Sequence, residues 1–433
     1  MLGNLKNLYD CLPKKFLFFL KNTPDSILFG KSYTQWKSKI SFDKNLFDIH
    51  LAETLNYARE HTLYGKDHIP LHVDANNARS ILESLPLVTS YDIATDLAYY
   101  TSDEFNLFNS YLTTTGGTGR NPTTILLSNE LYGIEWAHVH HIWSFAGYER
   151  KRDVKLTLRG KMLRGSKLVE LSPIHNELIV DIYKVNHKNF KDFLEIIKDY
   201  DIKYIHGYPS LVKQYMEFFQ ENNYHLKLKG VFLTSEGATV EEKKKISDFF
   251  SCKVISFYGH SERAIIAVDN EANGIYKVYS SYGYPRIVDG ELVVTSFVNR
   301  AMPLINFCMG DGAELIEDEH SFYLKNITSR RGKDFLYFSK DNKISVTLLA
   351  MHTEVENDIL YYQFHQKEFG KVEIRLLQKT DSTMPTQKLS EKFAEAIQKE
   401  LKDFIIDVKI VSENEIIKSH RGKMILLVQE LEK

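Results

Sequence analysis

The sequence predicts an α/β chain with two parts. A large multi-layer N-terminal domain, residues 1–333, would hold mixed sheets and a barrel-like part; a small α+β C-terminal domain would occupy 334–433. Three observations carry this. Between residues 190 and 257 short apolar runs alternate with helical stretches, the pattern of a sheet with helices on its faces and loops gathered at its strand ends. Residues 290–326 change texture, with strand-like runs at 291–296 and 314–316. The basic run at 329–334 reads as a linker, and beyond it a strand at 371–377, a helix at 389–402 and a strand at 405–411 make a small α+β pattern.

The elements follow in order. The first hundred residues read as mostly helical: Leu51, Ala52, Leu55 and Ala58 recur at helical spacing,. The apolar run Phe16–Leu20 is expected to dock as an amphipathic helix, since no small-residue cleavage site follows it,. Phe190 to Tyr200 suits a helix, and Lys203, Tyr204 and Ile205 a strand. Pro209 opens the next helix, where its fixed φ is favourable. Val231–Leu233 is a further strand. Thr239 and Glu242 form a Thr-x-x-Glu capping box that starts a helix running through Phe250,. The strand 253–257 follows. Lys243, Lys244 and Lys245 are expected on a solvated face of that helix.

Composition removes several function classes. With 433 residues, 43% apolar and 26% charged, the chain can bury a sizeable core and is not broadly disordered. Lys and Arg number 55 against 57 Asp and Glu, a net charge of −2, so no strong basic field points to nucleic acid. Cys11, Cys252 and Cys308 lie far apart without a C-x-x-C pair, which argues against a disulfide framework or Cys-rich zinc site and fits a reducing, cytoplasmic setting. No stretch approaches the roughly 18 apolar residues that span a bilayer.

Chemistry is first suggested at Tyr111–Pro122. A strand-like lead enters a loop of Thr114, Thr115, Gly116, Gly117, Thr118 and Gly119. Glycines let backbone N–H groups turn toward a polyphosphate, and threonines add donors. A solvated turn would use the same residues, and no Gly-Lys-Ser/Thr follows to make a Walker A loop. His138, His140 and His141, near Trp136 and Trp143, suit the wall of an apolar pocket or plain packing better than a metal site,.

Further motifs follow the loop in order: Gly207-Tyr208-Pro209-Ser210, Thr234-Ser235-Glu236-Gly237, Tyr258-Gly259-His260-Ser261-Glu262, Asn299–Leu304 running to Gly310-Asp311, Arg331 with Asp334, and Gly422-Lys423. In this series the chain resembles the adenylate-forming superfamily, specifically the phenylacetate–CoA-ligase-like branch that includes the capsular-polysaccharide-biosynthesis adenylating proteins. The resemblance covers most of the chain. It departs from the family pattern at Gly117, where a hydroxyl residue is usual, at the longer approach to Pro122, and at Phe307–Met309, which lacks the usual Arg and Thr. The register around 329–334 is ambiguous, so Arg330 could stand in for Arg331.

The resemblance implies roles. Thr114, Thr115 and Thr118 would bond ATP phosphates, with Gly116, Gly117 and Gly119 allowing close approach. Glu262 would hold Mg²⁺. Tyr258 would face the adenine, with Ser235, Glu236, Gly237, Gly259, His260 and Ser261 lining the nucleotide site. Asp311 would accept the ribose hydroxyls, and Arg331 would donate to ribose or phosphate. Lys423 would neutralise charge during adenylation, on a C-terminal lid turning about Asp334. Trp136, His141 and Tyr208 would line the acid pocket. The implied reaction activates a carboxylic acid to an acyl-adenylate with release of pyrophosphate, then transfers the acyl group to coenzyme A or to another thiol, amine or hydroxyl. A non-catalytic nucleotide- or acyl-binding descendant and an ATP-independent transferase of a surface-polysaccharide pathway stay open as alternatives, as does homodimer formation.

Overall fold

The computed structural model describes residues 21–106, 108–114, 124–161, 163–328, 335–340, 342–346, 355, 358–380, 382–417 and 426–431. The described chain begins with α1 (Asp25–Leu28), α2 (Lys31–Trp36), α3 (Asn45–His61), α4 (Leu63–His68), α5 (Ala78–Ser84), α6 (Ser90–Thr95) and α7 (Leu97–Tyr100), in line with the helical reading of this region. In α3 the stripe Phe47, Leu51, Leu55 and Ala58 is buried, and Phe47 meets Phe322 edge-on at 4.7 Å. The run at 16–20 lies outside the described residues. No described helix is long and apolar enough to cross a membrane.

A two-stranded hairpin follows, β1 (Ser110–Thr114) and β2 (Thr124–Ser128), in register from Ser110 opposite Ser128 to Thr114 opposite Thr124. Helix α8 (Leu131–Ser144) leads into the strands of the main sheet: β3 (Val154–Leu158), β4 (Val169–Ser172), β5 (Glu177–Val180), α9 (Phe190–Ile197), β6 (Ile202–Gly207), α10 (Pro209–Glu221), β7 (Gly230–Leu233), α11 (Val240–Phe250) and β8 (Lys253–Gly259). Strands β9 (Ile266–Asp269), β10 (Tyr276–Val278), β11 (Gly283–Val288), β12 (Glu291–Ser296), β13 (Phe307–Glu317) and β14 (Phe322–Thr328) complete it. The twelve strands lie in the order β11-β12-β13-β14-β10-β9-β8-β7-β6-β3-β5-β4. From β5 to β8 neighbours are parallel. From β8 to β11 they are antiparallel; this half occupies the place of the expected barrel-like part.

The pleat divides the parallel half between two cores. Tyr204 and Phe232 face one core together with α3 and α8. Ile205, Val231 and Leu233 face the other, with α9, α10 and α11. Pro209 stands in the first turn of α10, and the Thr239–Glu242 capping box opens α11 as expected.

Lys243 corrects the sequence reading. It is fully buried, not solvated, with Nζ 2.7 Å from Asp269 Oδ2 and 3.0 Å from the Tyr276 hydroxyl. Helical spacing explains this: Lys243 shares a face with buried Ile246 and Phe250, whereas Lys244 and Lys245 point outward,.

The C-terminal region contains β15 (Phe335–Tyr337), β16 (Lys343–Ser345), β17 (Ile359–Gln366), β18 (Lys371–Gln378), α12 (Thr386–Glu400), β19 (Ile405–Ile410) and β20 (Leu427–Gln429). Strands β19-β18-β17-β20 form one sheet. Leu389, Phe393 and Ile397 of α12 pack into its core with Phe364 and Ile374. Tyr91 of α6 packs against a small cluster of Tyr361, Leu377 and Ile416.

Candidate active site

Because β6, β7 and β8 are parallel neighbours, the loops after them leave from one edge of the sheet, where ligands of such sheets bind. The loop after β7 is tied to the end of β6 by Thr234 N–H donating to Gly207 O at 3.2 Å. Ser210 donates its backbone N–H (3.1 Å) and hydroxyl (3.0 Å) to the Glu236 carboxylate. Ser235 takes a left-handed φ of 67°, a backbone cost that its neighbours hold in place. Space is open at Gly237, where an added Cβ would meet nothing within 4 Å. Ser235, Glu236 and Gly237 therefore share one loop beside Tyr208, and Glu236 fastens that loop to the start of α10.

Tyr258 and Asp311 meet across the sheet. The Tyr258 hydroxyl donates to Asp311 Oδ2 at 2.8 Å, and His260 Nε2 lies 3.4 Å from the same oxygen. The Tyr258 and His260 rings pack edge to face at 4.6 Å. Asp311 stands on β13 directly after Gly310, whose φ is 78°, and just before a register shift between β13 and β14. Such an irregularity re-aims a side chain. Gly259 ends β8, Ser261 is exposed and Glu262 is half-buried in the turn that follows. Arg263, next in the chain, has a φ of 52° and a buried Nη1 without a hydrogen-bond partner among the described residues.

Of the loop expected to bind phosphates, the backbone of Thr114 is described as the end of β1. Thr115, Gly116, Gly117, Thr118, Gly119, Arg330, Arg331, Asp334 and Lys423 lie outside the described residues. Three different sets of neighbours hold the expected pocket residues. Trp136 stacks on His175 at 5.0 Å. His141 Nδ1 lies 2.8 Å from the Tyr279 hydroxyl. Tyr208 caps α10 and donates its N–H to Leu158 O. The other α8 histidines are packed and bonded: His138 to Ile134 O and the Ser281 hydroxyl, His140 to the Tyr33 hydroxyl.

Sequence reasoning missed a buried polar cluster beneath α8. Lys155 Nζ donates to His175 O (2.8 Å) and the Tyr148 hydroxyl (3.3 Å), and lies 3.5 Å from Glu177 Oε2. Thr157 donates to Glu177 at 2.8 Å. Burial alone would raise the Glu177 pKa, but Lys155 and Arg159 together hold it at about 2. Burial, with Lys155 adding to it, pushes His206 down to about 3. Among the described residues, the Nδ1 atoms of His206 and His175 and the Trp143 Nε1 are buried without hydrogen-bond partners. A signal was present: Lys155, Thr157 and Arg159 alternate with Val154, Leu156 and Leu158. A parallel strand covered on both faces usually reads as continuously apolar, so this alternation marks a polar face inside the protein.

No family model matches the chain. Among curated proteins it is 25% identical to Protein CapK of Staphylococcus aureus over 224 residues, 48% of this chain and 49% of that one. It is also 25% identical to indoleacetate–lysine synthetase of Pseudomonas savastanoi over 141 residues, 32% of this chain and 36% of that one. The matches thus span about half and about a third of these relatives. Among solved structures, 2-hydroxyisobutyryl-CoA ligase in the postadenylation state superposes with a TM-score of 0.50 and 13% identity, covering 89% of each chain. The chain shares the fold of that ligase. The α/β architecture expected from the strand–helix alternation therefore holds, with the match covering 89% of the chain.

Proposed function

We propose that the protein is an adenylate-forming ligase, activating a carboxylic acid with ATP and passing the acyl group to a thiol, amine or hydroxyl acceptor, coenzyme A among them. The observation that best supports this is the Tyr258–Asp311 junction at the C-terminal edge of the parallel strands. It gathers an aromatic face, a carboxylate and the Glu262 turn beside the loops of Tyr208 and Ser235–Gly237.

In the first step a carboxylate oxygen attacks the α-phosphorus of ATP, and the bond to the β-phosphate oxygen breaks. Pyrophosphate leaves and an acyl-adenylate is formed. The acceptor then attacks the acyl carbon, and AMP departs with the acid's oxygen. Asp311 accepts the ribose hydroxyls and Tyr258 presents its ring to the base, so the nucleotide is oriented before chemistry. Glu262 suits Mg²⁺, which commonly takes one or two carboxylates and fills its remaining positions with phosphate oxygens and water. Bound there, the ion would offset charge on the phosphates. Thr114, Thr115 and Thr118 donate to the phosphates. Lys423, carried on the region 334–433 that turns about Asp334, places an ammonium against the developing charge.

Pyrophosphate release over a panel of carboxylic acids tests the reading. Lys423→Ala should lower adenylation ~100-fold while ATP still binds. Glu262→Gln should shift the Mg²⁺ titration upward ~10-fold. ATP binding without pyrophosphate release for any acid would favour a non-catalytic descendant, and acyl or sugar transfer without ATP would favour a transferase.

A further inference from the structure

The stretch Asn299–Leu304 belongs to the motif series, yet none of its residues is used in the reaction above. Asn299 is buried, 1% exposed, in the connection between β12 and β13. Its side-chain amide N–H donates to Leu126 O at 2.9 Å and to Met302 O at 3.1 Å. Its amide oxygen accepts the Ser128 N–H at 3.4 Å. Two backbone groups of β2 are thus served by one side chain 171 or more residues away.

This matters because, among the described residues, the β1–β2 hairpin is a sheet of its own and joins no strand of the main sheet. Its ladder ends, as described, at Thr114 opposite Thr124. Ile125 and Leu127 anchor it by burial, but apolar packing is non-directional and does not fix register. Asn299 adds direction, since an amide offers two donors and an acceptor in a fixed plane.

The same residue also reaches the opposite wall. Asn299 N–H donates to Ser296 Oγ at 3.4 Å, and that hydroxyl donates to Arg263 O at 3.1 Å. Arg263 N–H in turn bonds His260 O at 3.0 Å. The path therefore runs from Leu126 and Ser128 through Asn299 and Ser296 to the turn that carries Glu262.

We propose that Asn299 is a positioning residue. With Ser296 it sets the hairpin bearing Thr114 at a fixed distance from the Glu262 turn, so that both address one nucleotide. The inference rests on the adenylation reading for its kinetic consequence, but the mechanical tie stands on hydrogen bonds alone. An Ala or Asp at 299 loses both amide donations, and Leu126 O and Met302 O are left buried and unserved.

Amide hydrogen exchange and steady-state kinetics on the full chain test it together. In Asn299→Ala, β1–β2 amides should exchange ~10-fold faster while α9 and α10 stay unchanged. The KM for MgATP should rise ~10-fold, with the KM for the acid within ~3-fold. Ser296→Ala keeps the tie to β2 but cuts the link to Arg263 O. It should leave hairpin exchange unaltered and raise the MgATP KM ~3-fold. Unchanged hairpin exchange in Asn299→Ala overturns the proposal. So does exchange that accelerates equally along the whole chain, or a KM increase shared by acid and ATP. Should the wild type adenylate no acid, the functional reading fails, and hairpin exchange still decides the tie.

Discussion

Two aspartates join the parallel half of the main sheet to its antiparallel half, and they do so differently. Asp269, at the end of β9, is fully buried and saturated. It accepts from Lys243 Nζ at 2.7 Å and from the backbone N–H groups of Glu271, Asn273 and Gly274. Asp311, on β13, sits at the strand-end edge with its side chain 12% exposed, and Tyr258 and His260 both approach the same oxygen. An ionised carboxylate accepts about four hydrogen bonds. The first site closes on itself and builds the fold, whereas the second keeps acceptor capacity at the edge where the proposed nucleotide would bind.

The sharpest break would come from Lys243→Ala. It strands Asp269 without its cation, and breaking a buried pair from one side costs ~3–5 kcal/mol. Urea unfolding should show that loss, with the MgATP KM unmoved. A loss below ~1 kcal/mol would mean that the junction behaves as a surface pair.

Acid unfolding separates burial from charge pairing. His138 is completely buried, and burial lowers its pKa to about 4. Unfolded, it titrates near ~6.5, so between these values the unfolded chain binds the extra proton. Its contribution is complete above pH ~6.5 and fades as the pH falls toward 4, a total of ~3 kcal/mol. His138→Gln should flatten stability against pH over that interval by about one proton. An unchanged slope would contradict the assignment.

Asp311→Asn comes next. It retains shape but loses the charge that Tyr258 and His260 face, and should raise the MgATP KM ~10–30-fold with little change in the unfolding midpoint. A large stability loss without a kinetic change would place Asp311 beside Asp269 as a structural group. The smallest effect belongs to the exposed Lys245–Glu241 pair, 2.9 Å apart on α11. Lys245→Ala should leave the urea midpoint essentially unmoved, two positions from the most costly change.

That last contrast shows what was legible in the sequence. Strand–helix alternation, the Thr239–Glu242 box and Pro209 gave the parallel half and its strand-end loops, because each is local. Three consecutive lysines looked alike because charge is local too, but only the helix period together with a distant Asp269 makes Lys243 different. Tyr258 and Asp311 could be named from motifs, yet their contact spans 53 residues and depends on Gly310 and the neighbouring register shift. The Lys155–Glu177 cluster escaped because its members come from separate strands and their burial is a property of the assembled sheet.

The central claim, acid activation through an adenylate, is tested most directly with a carboxylic acid labelled with ¹⁸O in its carboxylate. After turnover with ATP and an acceptor, the expected result is one ¹⁸O in the phosphoryl group of AMP. Label in inorganic phosphate, or AMP without label, would contradict it.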